Sequence, residues 1–216
     1  AHVTGHDAAE KIIGELERSG LFISPLGTER YWFRYHSLFS AYLRRQLQSR
    51  GADNVVRLHM RAADWYEANN HPAYAMHHAI EARNFSQAAA VLESWSDQLV
   101  REGRLETIRK WLNALPVEQI NAHPGLQLKA LWSLLFLRQF YEARPFLEAL
   151  TKNIESHGRG SLALPLLISV RHLMQDDIVS AGKAVIEFDV DRDASDRFES
   201  FELGAIANIQ SMYLRS

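Results

Sequence analysis

Three patterns in this 216-residue chain carry the residue types of a chemical site. The first is Gly182-Lys183, the only Gly-Lys pair. A phosphate-cradling loop needs Gly five positions before that Gly and Ser or Thr after the Lys; Asp177 and Ala184 stand there instead. The second is Asp189-x-Asp191-x-Asp193, which opens like a calcium loop. Such a loop needs Gly at its sixth position for the turn and a bidentate Glu at its twelfth, and these are Ala194 and Ser200. The third is a supply of ten His. His71 and His78 are seven apart, whereas the adjacent His77 and His78 diverge by about 100° on a helix and cannot easily share an ion. No His-Glu-x-x-His and no Gly-x-Ser-x-Gly occurs, and there is no Cys to supply a thiolate. Nothing assembles a nucleophile, a base and an orienting group, so the expectation is a chain with no catalytic residues and no metal site.

What remains is recognition. Trp65, Trp95, Trp111 and Trp132 fall at apolar helical positions, where packing is the default. Tyr66, Tyr74 and Trp95 have polar neighbours and are the candidates for lining a ligand or partner groove.

The elements that must position these residues read as follows. Asp7-Ala-Ala-Glu10 has the form of a capping box, and Ile12, Ile13 and Leu16 then recur at helical spacing until Gly20. Two aromatic and β-branched runs, 21–26 and 31–35, flank Gly27-Thr-Glu-Arg30 and predict a hairpin, with Pro25 at a strand edge or end. A helix with Leu38, Phe39, Tyr42, Leu43 and Leu47 on one face follows and stops at Gly51. Beyond it, helices are predicted over 54–69, 73–83, 86–101, 105–115, 125–138, 141–154, 162–175, 179–188 and from 196 onward, with breaks short enough to make neighbours antiparallel.

An internal repeat runs through them. Phe85-x-x-Ala88-x-x-Val91-Leu92 matches Phe140-x-x-Ala143-x-x-Phe146-Leu147, and Ile178-x-x-Ala181-x-x-Ala184-Val185 is a weaker copy. Leu105-x-x-Ile108-x-x-Trp111-Leu112 is a variant with a larger residue at the Ala position. The small residue lets a preceding helix approach; the large pair fills the gap beyond it. The fold class expected is therefore mainly α: a tetratricopeptide-like helix-pair solenoid over 52–216, preceded by a small helix–hairpin–helix segment over 1–51.

Composition fits an ordinary globular protein, with 47% hydrophobic and 23% charged residues and a net charge of −2. The balance is uneven, because seven Arg meet one acid over 30–61 and seven acids meet two Arg over 187–202. These stretches are read as solvated faces, with phosphate or an acidic partner as the alternative for the basic one. No apolar run reaches the roughly 20 residues of a membrane span, no signal peptide opens the chain, and a cytoplasmic setting is expected. Ala1 in place of Met, and an apolar last helix still seeking a partner, lead to the expectation of a piece of a longer protein.

The stretch Tyr31-Trp-Phe-Arg-Tyr-His-Ser-Leu-Phe-Ser-Ala-Tyr-Leu-Arg-Arg-Gln-Leu47 resembles the end of the winged-helix domain in MalT-like, LuxR-type, ATP-dependent transcriptional activators, a class of STAND signalling ATPases. Val3-Thr-Gly5, Glu15-Leu-Glu-Arg18, Leu21-Phe22 and Pro25-Leu26 also match. Leu58-His-x-Arg61-Ala-Ala-x-Trp65, Ala79-x-x-Ala82 and Trp111-Leu-x-Ala-Leu-Pro116 fit the start of that family's helical repeat arm. The resemblance implies an ATPase module before this segment and a DNA-binding helix-turn-helix well after it. ATP or ADP would then bind outside this chain, with no cofactor within it. It implies as partners the protein's own ATPase module, an inducer metabolite or regulatory protein, and further copies in self-association, with DNA reached only through the distant domain. It also implies that His36, in Arg34-Tyr-His36-Ser-Leu-Phe39, stands where related ATPases place a His near the nucleotide, with Arg34 beside it. The pattern departs from Met-His-Asp, since Tyr35 precedes His36 and Ser37 follows, and a cap or a plug of the hairpin is the other role open to His36.

Three functions follow as expectations: a regulatory and sensor segment of such an activator; a generic protein-binding scaffold or a small-molecule inducer site on the concave face; and direct DNA contact through Arg30, Arg34, Arg44 and Arg45, disfavoured because no recognition helix is evident.

Overall fold

The computed structural model describes residues 2–5, 8–20, 22–26, 33–157, 163–191, 193–194 and 197–216. Two compact units divide the chain, 1–84 and 85–216. The first holds α1 (Ala9–Arg18), β1 (Ile23–Pro25), β2 (Phe33–Tyr35), α2 (Ser37–Gln48), α3 (Ala52–Ala68) and α4 (Pro72–Glu81). The second holds α5 (Phe85–Arg101), α6 (Leu105–Leu112), α7 (Val117–Asn121), α8 (Pro124–Phe136), α9 (Phe140–His157), α10 (Ala163–Leu173), α11 (Ile178–Val185) and α12 (Arg197–Tyr213). Among the described residues the only sheet is the antiparallel β1–β2 pair, in which Pro25 sits opposite Phe33 at the strand end. The hairpin turn at 27–30, Asp7 of the capping box, the Glu10 side chain and the break at 158–162 lie outside the described residues.

The compact division falls after α4, with α3 and α4 clustering with the opening segment, and the boundary expected at 51 lies at the break between α2 and α3. Helix α7 escapes the sequence pattern; five residues after Pro116 are too few to establish a period. The single apolar face expected of α2 is also split. Leu38 and Tyr42 are 76% and 56% exposed, whereas Phe39, Leu43 and Leu47 are half-buried.

One turn recurs after α3, α4, α5, α8 and α10. Asn70, Arg83, Gly103, Arg138 and Asp176 each adopt a left-handed backbone, with φ between 56° and 67°. Each donates its N–H to the carbonyl three residues back, and the following residue donates to the carbonyl five back. His71 reaches Tyr66 at 2.8 Å, Asn84 reaches Ala79 at 2.8 Å, Arg104 reaches Leu99 at 2.8 Å, Gln139 reaches Leu134 at 2.7 Å and Asp177 reaches His172 at 3.0 Å. This is the Schellman closure, which satisfies carbonyls that a helix end otherwise leaves unpaired. Within each unit, after α3, α5, α8 and α10, it reverses the chain within two or three residues.

The repeat positions obey one burial rule. Phe85, Leu105, Phe140 and Ile178 open their helices half-buried, and Ala88, Ile108, Ala143 and Ala181 three residues later are buried. In the α10–α11 pair the approach is close enough for buried Ser169 to donate its hydroxyl to the Ala181 carbonyl at 2.6 Å. A Cβ on Gly182 would overlap the Tyr213 ring, so this glycine serves the packing of α12 onto α11. Gln210 of α12 donates its amide to the Val185 and Phe188 carbonyls at 2.8 and 3.0 Å, closing the end of α11. Leu126, Leu131, Trp132, Leu134 and Leu135 of α8 are essentially inaccessible and form the centre of the second unit. Between α6 and α9, Arg109 grips Glu142 through two hydrogen bonds of 3.0 and 2.7 Å.

Left-handed backbone costs a residue bearing a Cβ about 1–2 kcal/mol, and Gly avoids it. Arg138→Gly and Asp176→Gly, both at exposed positions, are each expected to raise unfolding free energy by about 1 kcal/mol in urea titrations. Gly103→Ala is expected to lower it by a similar amount.

Candidate functional site

The first unit gathers the candidate residues into two places. At the hairpin end, the His36 backbone donates to the Phe22 carbonyl at 2.7 Å, and its carbonyl accepts from Ser40 at 2.9 Å. His36 is thus the residue where the returning strand becomes α2. Its side chain makes no capping hydrogen bond. Phe22 is left-handed, with φ 57°, an uncommon state for an aromatic residue. Its ring stacks on Phe39 at 5.2 Å, and Tyr35 meets Phe39 edge-on at 5.8 Å. Arg34 is paired with Ser24 across the hairpin. Arg34 and His36 line one cavity of about 500 Å³, together with Phe22 and Ser37.

The second place is the α3–α4 hairpin. Tyr66 and Tyr74 stack with centroids 5.0 Å apart and planes 25° from parallel. On its other partner Tyr66 lies nearly parallel to His78, at 5.4 Å and 6°. His71 meets both tyrosines edge-on, at 6.1 and 6.3 Å. The reason is helical spacing: Tyr74 and His78 are four apart on α4 and present one strip to α3. Across the helices the His59 and His78 Nδ1 atoms are 2.8 Å apart.

Burial is the first cause of every shift here. It brings His78 down to about 4, helped by His59 and His77 and opposed by the Glu81 carboxylate. His59 is lowered by burial and by His77, against Glu81. The Tyr66 phenol is raised by burial and by Tyr74. At neutral pH these rings are therefore uncharged, offering flat faces and ring nitrogens to a ligand but no activated nucleophile.

Tyr66 and Tyr74, picked out in the sequence, are brought together. Trp95 belongs to the second unit, where it is only 9% exposed among Val91, Leu92 and Leu99 of α5, with the Arg104 guanidinium 5.9 Å from its ring. That burial gives Trp95 a packing role in place of the groove role expected of it. His59 was not singled out by spacing, since it lies 19 residues from His78; only the antiparallel hairpin brings them together. Among the described residues no three His, Asp or Glu side chains converge as metal ligands. In the aspartate-rich segment Asp189 Oδ1 accepts from the Asp191 backbone at 3.0 Å. No helix of the described residues is long and apolar enough to cross a membrane.

A hairpin joined to a helix by a pinned His, followed by antiparallel helix pairs, is the arrangement that comparison with known proteins explains. The family model for the MalT winged helix domain matches residues 1–55. The HTH-type transcriptional regulator MalT of Serratia proteamaculans is 34% identical over 146 residues, which cover 68% of this chain and 16% of that protein. The chain is MalT-like. The MalT proteins of Cronobacter sakazakii and Yersinia pestis are 31% and 32% identical, again over 68% of this chain and 16% of theirs. The chain therefore spans about a sixth of the length of these curated relatives. The part matched by the family model is a winged helix, not an ATPase module. No solved structure matches.

Offset aromatic pairs contribute about 0.5–1.5 kcal/mol beyond the area they bury. A double-mutant cycle with Tyr66→Ala and Tyr74→Ala is expected to return a coupling in that range by urea unfolding. A coupling of zero would contradict the stack.

Proposed function

We propose that the chain is a regulatory segment of a MalT-like transcriptional regulator, in which the winged-helix part reports nucleotide state and the helical arm receives a signal. On this reading ATP and ADP bind in an ATPase module outside the chain, and DNA is reached through another domain. His36 and Arg34 hold the inactive, ADP-bound state from the rim of the cavity they share. The reading is supported chiefly by the winged-helix match over 1–55. It is further supported by the His36 backbone bonds that fix the junction between hairpin and α2. A side chain on a junction so pinned has a defined position to offer a nucleotide-binding neighbour, and it is not occupied in capping its own helix.

In the full-length protein, His36→Ala is expected to weaken ADP retention and raise transcription in the absence of inducer. Nucleotide affinity and basal transcription both at wild-type levels would remove His36 from the mechanism.

The helix pairs also suit a tetratricopeptide-type scaffold for a regulatory protein or an inducer metabolite, and the partly exposed Tyr66–Tyr74 stack favours a planar or ring-bearing ligand over a featureless surface. Candidate metabolites that bind the native chain alone would raise its thermal midpoint by mass action. A shift abolished by Tyr74→Ala would place binding on α4.

A further inference from the structure

The His59–His78 contact has the geometry of a shared proton, not of a metal site. The Nδ1 atoms are 2.8 Å apart and the ring centroids 5.0 Å apart. An imidazole nitrogen lies about 1.1 Å from its ring centre, so the rings meet nearly end to end, and each lone pair or N–H points at the other ring. An ion bound by both nitrogens at about 2.0–2.1 Å would have to sit well off those lone-pair axes.

Such a contact exists in defined protonation states. In the neutral pair one ring carries its proton on Nδ1 and donates, while the other carries its proton on Nε2 and accepts. Adding one proton keeps the bond, since an imidazolium Nδ1–H still donates to a neutral Nδ1. Adding the second makes both Nδ1 atoms donors, and the bond is replaced by two N–H groups and two positive charges facing each other.

We propose that the His59–His78 pair is a pH-operated latch between α3 and α4, closed while the two imidazoles hold at most one extra proton and released by the second. The surroundings oppose release from most sides. Arg44 of α2 lines the same cavity of about 520 Å³ as both imidazoles, and His77 of α4 adds positive charge when protonated. Tyr66 of α3 covers the His78 face, with Tyr74 of α4 stacked behind it. Among the described residues Glu81 of α4 is the carboxylate acting on the pair, and it favours protonation. Leu47 and Gln48 of α2 complete the cavity wall with Arg44, so loosening of α3 from α4 reaches the helix that His36 begins.

The sign follows from the lowered folded-state values. The unfolded imidazoles bind protons near 6.5 and the folded ones lower, so the pair's contribution is complete above that pH. It declines as pH falls from about 6.5 toward 4. The two steps belong to the pair and not to either ring.

The test is nitrogen-detected NMR of the imidazoles in the 216-residue chain between pH 8 and 4. The expected result is opposite tautomers for His59 and His78 at pH 7.5. Below pH 6 the backbone signals of buried Ala63 and Ala75 are expected to shift with the midpoint of the second protonation. In His59→Ala the His78 midpoint is expected to rise by at least one pH unit. Identical Nε2–H tautomers in the wild-type chain would overturn the proposal, as would an unmoved His78 midpoint in the variant. Ala63 and Ala75 signals that stay fixed while both rings titrate would leave a hydrogen bond but no latch. If His59→Ala fails to fold, the wild-type tautomers and backbone shifts decide.

Discussion

The left-handed residue that ends five of the helices is the constraint on which the rest depends. At 70, 103, 138 and 176, within the two units, the chain leaves a helix through the same two backbone hydrogen bonds and turns back within two or three residues. A reversal this short leaves the next helix little choice but to run alongside the last. Antiparallel neighbours then require small side chains where their axes come nearest, and Ala143 on α9 and Ala181 on α11 supply them. The buried leucines of α8 and the Ser169–Ala181 hydrogen bond are consequences of that approach.

Much of this is legible in the sequence, for identifiable reasons. The Phe-x-x-Ala and Ile-x-x-Ala spacings mark helix openings to within a residue, because the period of 3.6 is imposed by burial of one face. The recurring turn is less visible. Gly103, Asn70 and Asp176 are residue types that accept a left-handed backbone readily; Arg83 and Arg138 are not, and adopt it in the same hydrogen-bonded closure. Two arginines paying a backbone cost at equivalent places mark a structural repeat that composition conceals. Gly51, with φ 103°, marks the break between α2 and α3, close to residue 55 where the winged-helix match ends, whereas the compact division of the chain falls after α4.

The candidate site was half visible. Tyr66 and Tyr74 stand out as aromatic residues in polar company, and the Arg34–His36 pair is carried by resemblance to a family. The partners of these residues were not visible. His59 meets His78 only because α3 and α4 are antiparallel, and Trp95 shares its residue type with a groove but its position with a core. The two units consequently differ in character. In the second, Trp132 and the buried leucines of α8 form an apolar centre. In the first, α2 has no buried side chain among the described residues, and the α3–α4 pair joins buried Ala63, Ala75, Met76 and Ala79 with stacked rings and an imidazole pair nearer the surface. Contacts of that kind respond to ligands and protons far more readily than buried leucine does.

Residue-resolved amide hydrogen exchange tests the central claim most directly. If the Schellman closures organise the helix pairs, the amides of His71, Asn84, Arg104, Gln139 and Asp177 are held in hydrogen bonds despite lying in turns. They are expected to exchange at least about tenfold more slowly than amides of an unstructured chain, each tracking the helix it closes. Exchange at unstructured rates for most of the five, with the flanking helices still protected, would contradict the account.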